Sequence, residues 1–210
     1  MAELVSVRLP PPNLSPQQIG IENMNSFNYY FYIVYGALQI IIIFCFGGMK
    51  YPDGPYGTND SYFYYDFRSM LIYQQKIFVD TSSIMLLGFG FLIVFIRFHR
   101  WMSLGLTLFV AAISVQIYML FGAFWFKVFN GGWSNGFTMT LFEITAAERA
   151  AIAVLISMGA LVGKVDTFQM LAMAFIELIF FSFNEHLLFG GIKVRDMGGA
   201  FYIHTFASVF

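Results

Sequence analysis

The chain has 210 residues, 59% of them hydrophobic and 11% charged, with a mean hydropathy of +0.70. A soluble domain carries about a quarter charged residues, so this composition excludes a soluble globular protein and points to an integral membrane protein. A formal net charge of −1 offers no basic surface and excludes nucleic acid as a partner. The lone Cys45 has no intrachain disulfide partner.

Residues 1–28 are predicted to form an N-terminal tail and residues 29–210 a membrane domain. The tail is polar and contains Pro10, Pro11, Pro12 and Pro16. From Tyr29 to Gly48 there is no charge, and the stretch is long enough for the roughly 20 residues that a spanning helix needs, so a first helix is expected there. Residues 50–79 are rich in Gly, Pro, Asp and Tyr and are predicted to be a mixed loop. Within them Asn59-Asp60-Ser61 is a glycosylation sequon.

Asp80-Thr-Ser-Ser has the composition of a helix start, so a second helix is expected from Asp80 to Ile96. Gly88 and Gly90 would allow a close neighbour there. A basic turn (Arg97, His99, Arg100) leads into a third, charge-free helix from Met102 to Phe126. The segment 127–143 is expected to be a loop. A fourth helix follows over 145–163, a tight turn at Lys164-Val165-Asp166, and a fifth helix from Thr167 to Leu188, ended by Gly190-Gly191. The sixth begins near Met197. The fold class expected is therefore all-α, a polytopic membrane bundle of about six transmembrane helices. The last 13 residues make only about 20 Å of helix, short of a hydrocarbon core of about 30 Å, so the sixth helix is expected to be truncated. Lys and Arg in the short turns, together with the sequon, favour a cytoplasmic N-terminus.

Ionisable residues inside such segments are costly and mark functional sites. His204 lies in the final apolar run, Glu177 in the middle of the fifth helix, and Glu148-Arg149 early in the fourth. Residue counts from the Lys164 turn put Arg149 and Glu185 at similar depth on consecutive antiparallel helices, and a salt bridge between them is predicted. Glu177 is predicted to be a neutral, hydrogen-bonded carboxyl at a helix interface. His186 is expected to be exposed. No spacing of His, Cys and acids suggests a metal, no cofactor motif is present, and no nucleophile arrangement suggests an enzyme.

Several stretches resemble the Rh glycoproteins, the Rhesus branch of the ammonium transporter family. They are DTSSIMLLGFGFLIVFIRFHR at 80–100, GALVGKV at 159–165, Phe183-Asn184-Glu185 and KVRDMGGAFYIHTF at 193–206. The resemblance implies an ammonium/ammonia channel built from two inverted halves, of which this chain matches the N-terminal one. It implies a narrow hydrophobic pore lined by histidine, at the plasma membrane. It further implies a homotrimer, or a heterotrimer with other Rh-type subunits, with carbon dioxide as a further substrate. His204 resembles the first pore histidine, Asp196 the acid at the external end of the pore, and Glu185 the vestibule glutamate. Asn59 falls in a loop that such proteins glycosylate. Arg149 stands where the family has its outer gating Phe. The alternative reading is a non-conducting Rh-type subunit that binds membrane partners.

Overall fold

The computed structural model describes residues 16–49, 61–91, 100–131, 139–196 and 198–210. Asn59 and most of the basic turn before Arg100 lie outside them. The chain divides into two units, Met1–Ile43 and Phe44–Phe210.

The first unit is described from Pro16, where helix α1 (Pro16–Gly47) begins. Half of the expected tail is thus helical. Proline suits the first helical position, where its fixed φ is already right and its missing N–H is not needed. No proline follows to break the helix.

In the second unit the chain departs from expectation at residues 50–79. Helix α2 runs from Ser61 to Ser83, so Asp80 lies inside a helix rather than at its start. The Gly and Pro residues that signalled a loop are confined to residues 52–57. From Ser61 to Leu87 there is neither, so nothing interrupts the helix. The hydroxyls of Thr81, Ser82 and Ser83 are spent on hydrogen bonds within the bundle instead. Thr81 and Ser83 hydroxyls donate back to the carbonyls of Ile77 and Val79, at 2.9 and 2.7 Å. Such back-bonding loosens the helical ladder, and a π-helical turn, π1 (Ile84–Phe89), follows directly. A Cβ on Gly90 would sit 3.5 Å from the Leu104 side chain, whereas one on Gly88 would meet nothing. The close approach expected of both glycines belongs to Gly90.

Helix α3 (Arg100–Asn130) and helix α4 (Leu141–Leu161) both extend into the segment expected to be a loop. Their ends are set by Gly131, at φ +71, and by a capping box at Thr140, whose backbone N–H donates to Glu143 at 3.0 Å. A second capping box, Asp166 with Gln169, opens helix α5 (Thr167–His186) after the expected turn. Gly190 and Gly191 do not end that helix. They lie within a π-helical continuation, π2 (Leu187–Ile192), which stops at Lys193 in the left-handed region, φ 57. The final segment is π3 (Ala200–Thr205) followed by a short helix α6 (Phe206–Val209).

Helix α3 packs against both α4 and α5, while α2 and the final segment pack on α4. The core takes one face of α5 but most of the girth of α4 between Thr145 and Leu155. On α4 it is small: Ala146, Ala147, Ala150, Ala151, Ala153 and Val154 are all buried, which lets neighbouring backbones approach. On α5 the buried stripe is Met170, Ala174, Glu177, Leu178, Phe181, Ser182 and Glu185, a 3.6-residue period. Ser103–Phe129, Leu141–Leu161 and Thr167–Ile192 are each long and apolar enough to cross a membrane, and Tyr32–Gly47 is a shorter apolar helix. The molecule is a helical membrane bundle with six helices among the described residues.

Candidate functional site

A cavity of about 1010 Å³ opens between the ends of α3, α4, π2 and π3. Arg149, Glu185, Asp196 and His204, the four residues singled out from sequence, all line it. They come from three separate stretches, and packing alone brings them together.

Arg149 lies on α4 and Glu185 on the buried stripe of α5. Their charged atoms are 3.9 Å apart, at the long end of an ion pair, as the residue counts predicted. The Arg149 side chain is 23% exposed and that of Glu185 10%, so the pair sits in the wall of the cavity and is not immersed in solvent. The guanidinium carbon stands 5.8 Å from the centroid of the Phe142 ring, within reach of a cation–π attraction. The second oxygen of Glu185 accepts a hydrogen bond from the Tyr118 hydroxyl of α3, and the Tyr202 hydroxyl neighbours both Arg149 and Glu185. Glu185 is therefore held by a cation on one oxygen and a phenol on the other.

Asp196 stands in the approach to the last helix. One carboxylate oxygen accepts from the backbone N–H groups of Phe201 and Tyr202, at 2.8 and 3.0 Å. These are donors that the start of a helix leaves unpaired, so Asp196 orients the segment that carries His204. The turn between them is Gly198-Gly199, at φ +75 and +73. A Cβ on Gly199 would also lie 2.5 Å from the Ile203 side chain. Glycine is required here on two counts, a left-handed backbone and close approach. The Gly198-Gly199 pair thus makes the turn into the His204 segment, whose Tyr202 ring meets Phe189 of π2 edge-on at 5.0 Å. His204 is exposed and lines the cavity from π3.

Three partnerships were not legible in the sequence. Glu148 is buried on α4 and accepts a hydrogen bond from Ser82 of α2. Glu177, fully buried, has one oxygen 2.6 Å from the Ser157 hydroxyl, which also stands 3.1 Å from the Ala207 carbonyl oxygen. Glu177 thus sits at a helix interface, as predicted, and joins α4, α5 and α6. His186, expected to be exposed, is half-buried and lines the cavity. Only a three-dimensional view could reveal these, since each partner lies on a different element or turn.

The model of the Ammonium Transporter Family matches residues 66–210. The chain belongs to this family. The curated proteins it resembles place it in the Rh branch. It is 35% identical over 157 residues to the ammonium transporter Rh type B of Bos taurus, 36% to that of Mus musculus and 34% to that of Sus scrofa. Each match covers 75% of this chain and 32% of the relative, so the chain spans about a third of the length of the curated relatives it matches. The family match takes in α3, α4, α5 and the final segment whole. Every residue named above as lining the cavity of this Rh-branch chain falls within it.

Proposed function

We propose that the protein takes part in moving ammonium and ammonia across a membrane, with the cavity as the mouth of the path. The observation that carries this reading is the convergence of Glu185, Asp196 and His204 on one cavity in a bundle of the ammonium transporter family. Three curated relatives bear the name of ammonium transporters. The chemistry suits the substrate. Carboxylates draw a small cation to the mouth. An apolar interior such as the buried alanines of α4 refuses an unpaired ion, because desolvating one costs several kcal/mol. An imidazole can donate to or accept from neutral ammonia without a net charge. In this reading residues 29–210 act as the N-terminal half of a transport domain. It is assembled as a trimer of Rh-type subunits in the plasma membrane, with the N-terminus cytoplasmic and Asn59 glycosylated. Carbon dioxide is a further candidate substrate.

The test is uptake of radiolabelled methylammonium into vesicles holding the protein purified from its source membrane. Replacing His204 by Ala is expected to reduce uptake at least tenfold, in line with the roughly 10²–10⁴ that a positioned proton-handling side chain contributes. Uptake unchanged by that replacement would remove His204 from the path.

One observation favours the second reading, a non-conducting Rh-type subunit. Arg149, which stays charged at all physiological pH, forms part of the cavity wall. A fixed cation there opposes the entry of another. Its pairing with Glu185 offsets that charge, which keeps transport the first reading. If the purified protein takes up no methylammonium but co-purifies with other membrane proteins, the second reading replaces it.

A further inference from the structure

The transport reading above makes no use of His186. Its ring nevertheless lines the same cavity as Glu185, Asp196 and His204. Nδ1 lies 2.8 Å from the carbonyl oxygen of Ser182, one turn back on α5. A carbonyl oxygen only accepts, so Nδ1 carries the hydrogen of this bond. In the neutral ring the lone pair is then on Nε2. Two aromatic side chains of α3 fix the plane of the ring. Phe129 lies nearly parallel to it, at 14° and 6.4 Å between centroids, and Phe126 meets it edge-on, also at 6.4 Å. Phe183 and Trp125 extend this aromatic wall. Backbone bond and aromatic wall together leave one basic nitrogen, Nε2, on a ring of fixed tautomer at the mouth.

We propose that His186 is a proton acceptor for ammonium at the cavity mouth. This rests on the transport reading and adds to it the residue that takes the proton. In the step, one N–H bond of the ammonium ion breaks and its electron pair stays on nitrogen, leaving neutral ammonia. The proton forms a new bond to Nε2, and the resulting imidazolium keeps its Nδ1–H bond to Ser182. It then returns the proton to water in the open cavity, which restores the base.

Charged and titratable groups from several elements line the same cavity: Lys127 of α3, Glu143 and Arg149 of α4, Glu185 of α5, and Asp196 before the last segment. His204 and Tyr202 complete the set. Glu185 is committed to Arg149 and Tyr118, and Asp196 to the backbone N–H groups of the last segment. Glu143 is committed to Thr140. These three acids of the cavity lining are thus engaged elsewhere, and the two imidazoles, His186 and His204, remain as its bases.

The experiment compares the purified wild-type protein with H186Q and H186A in phosphatidylcholine vesicles, by methylammonium uptake across pH 5 to 8. Gln retains an N–H donor for the Ser182 carbonyl but has no titratable base. The wild-type uptake, normalised to the concentration of the methylammonium cation, is expected to rise with pH as the imidazole loses its proton and to level off once the ring is neutral. H186Q is expected to lose that step and about tenfold in rate at pH 7, less than the full ~10²–10⁴ because water also accepts protons in an open cavity. Added imidazole is expected to restore uptake in H186A. A purely structural role predicts instead that H186Q keeps both rate and pH profile. Wild-type uptake with an unaltered H186Q profile and no imidazole rescue would overturn the role of His186 while leaving transport intact. Absence of uptake by the wild type would overturn the transport reading, and the role of His186 with it.

Discussion

Glu177 and Glu185 lie eight residues apart on the same buried stripe of α5, yet their surroundings differ in kind. Glu177 is fully buried between helices, and its bonded neighbour is the neutral hydroxyl of Ser157. Its other oxygen has no hydrogen-bond partner. An ion there would be uncompensated, at a cost of several kcal/mol, so the site suits an uncharged acid that ties helices together. Glu185 meets a guanidinium and a phenol at the edge of an open cavity, so an opposite charge stands beside it. One residue type on one helix face thus serves as a structural tie at mid-helix and as an electrostatic element at the mouth. Depth in the bundle makes the difference.

The sharpest way to break this comparison is to delete Glu185. E185A leaves Arg149 part-buried without its counter-ion and Tyr118 without its acceptor. Thermal unfolding in detergent should report a loss of about 3–5 kcal/mol. The double variant R149L/E185L should recover most of it, since a hydrophobic pair of similar volume replaces a buried ion pair at little cost. If the double variant is no more stable than E185A, the two residues are not coupled.

Next in size is E177L, which removes the acid but keeps its volume. It leaves the Ser157 hydroxyl with only backbone carbonyls and should lower stability by about 1–2 kcal/mol. A larger loss than that of E185A would reverse the assignment of the two glutamates. Y118F removes one hydrogen bond to a charged group and should cost about 1.5 kcal/mol. Its loss should vanish in an E185A background, measured as a double-mutant cycle.

The smallest effect expected is that of E177Q, within about 0.5 kcal/mol, because a neutral amide can keep the bond to Ser157. The matching change E185Q removes a charge facing Arg149 and should destabilise several times more. Equal effects of the two glutamine variants would mean that Glu177 also works as an ion. F142A should fall between these extremes at low salt. It deletes a cation–π contact worth about 0.5–1 kcal/mol on a ring that is itself exposed.

Local signals were reliable where the chemistry is local. The turn at Lys164 to Asp166 was readable because Gly163, at φ +81, and the Asp166 capping box act over a few residues. The same signals misled where composition stood in for position. The Gly and Pro of residues 52–57 signal a turn only there, and α2 starts at Ser61 within the stretch 50–79. The Asp80 cluster looked like a cap because hydroxyls favour both helix starts and helix–helix contacts. Ser82 uses its hydroxyl for the second, on Glu148. Gly190-Gly191 looked like a helix end, but a π-helical continuation accommodates both glycines. Arg149 and Glu185 were paired correctly by counting residues from one short turn, a measure that holds only for consecutive antiparallel helices.

By itself, the sequence determined that the chain enters a membrane, because 11% charge leaves too little polar surface for water. It determined the family through the order of its motifs, and it determined which ionisable residues are exceptional. The tertiary structure decided what each of them does. Burial and partners depend on neighbours from distant stretches: Tyr118 on α3 for Glu185, Ser157 on α4 for Glu177, Phe129 on α3 for His186. The electrostatic value of a side chain is set by the dielectric and charges around it. Those surroundings exist only once the helices have packed.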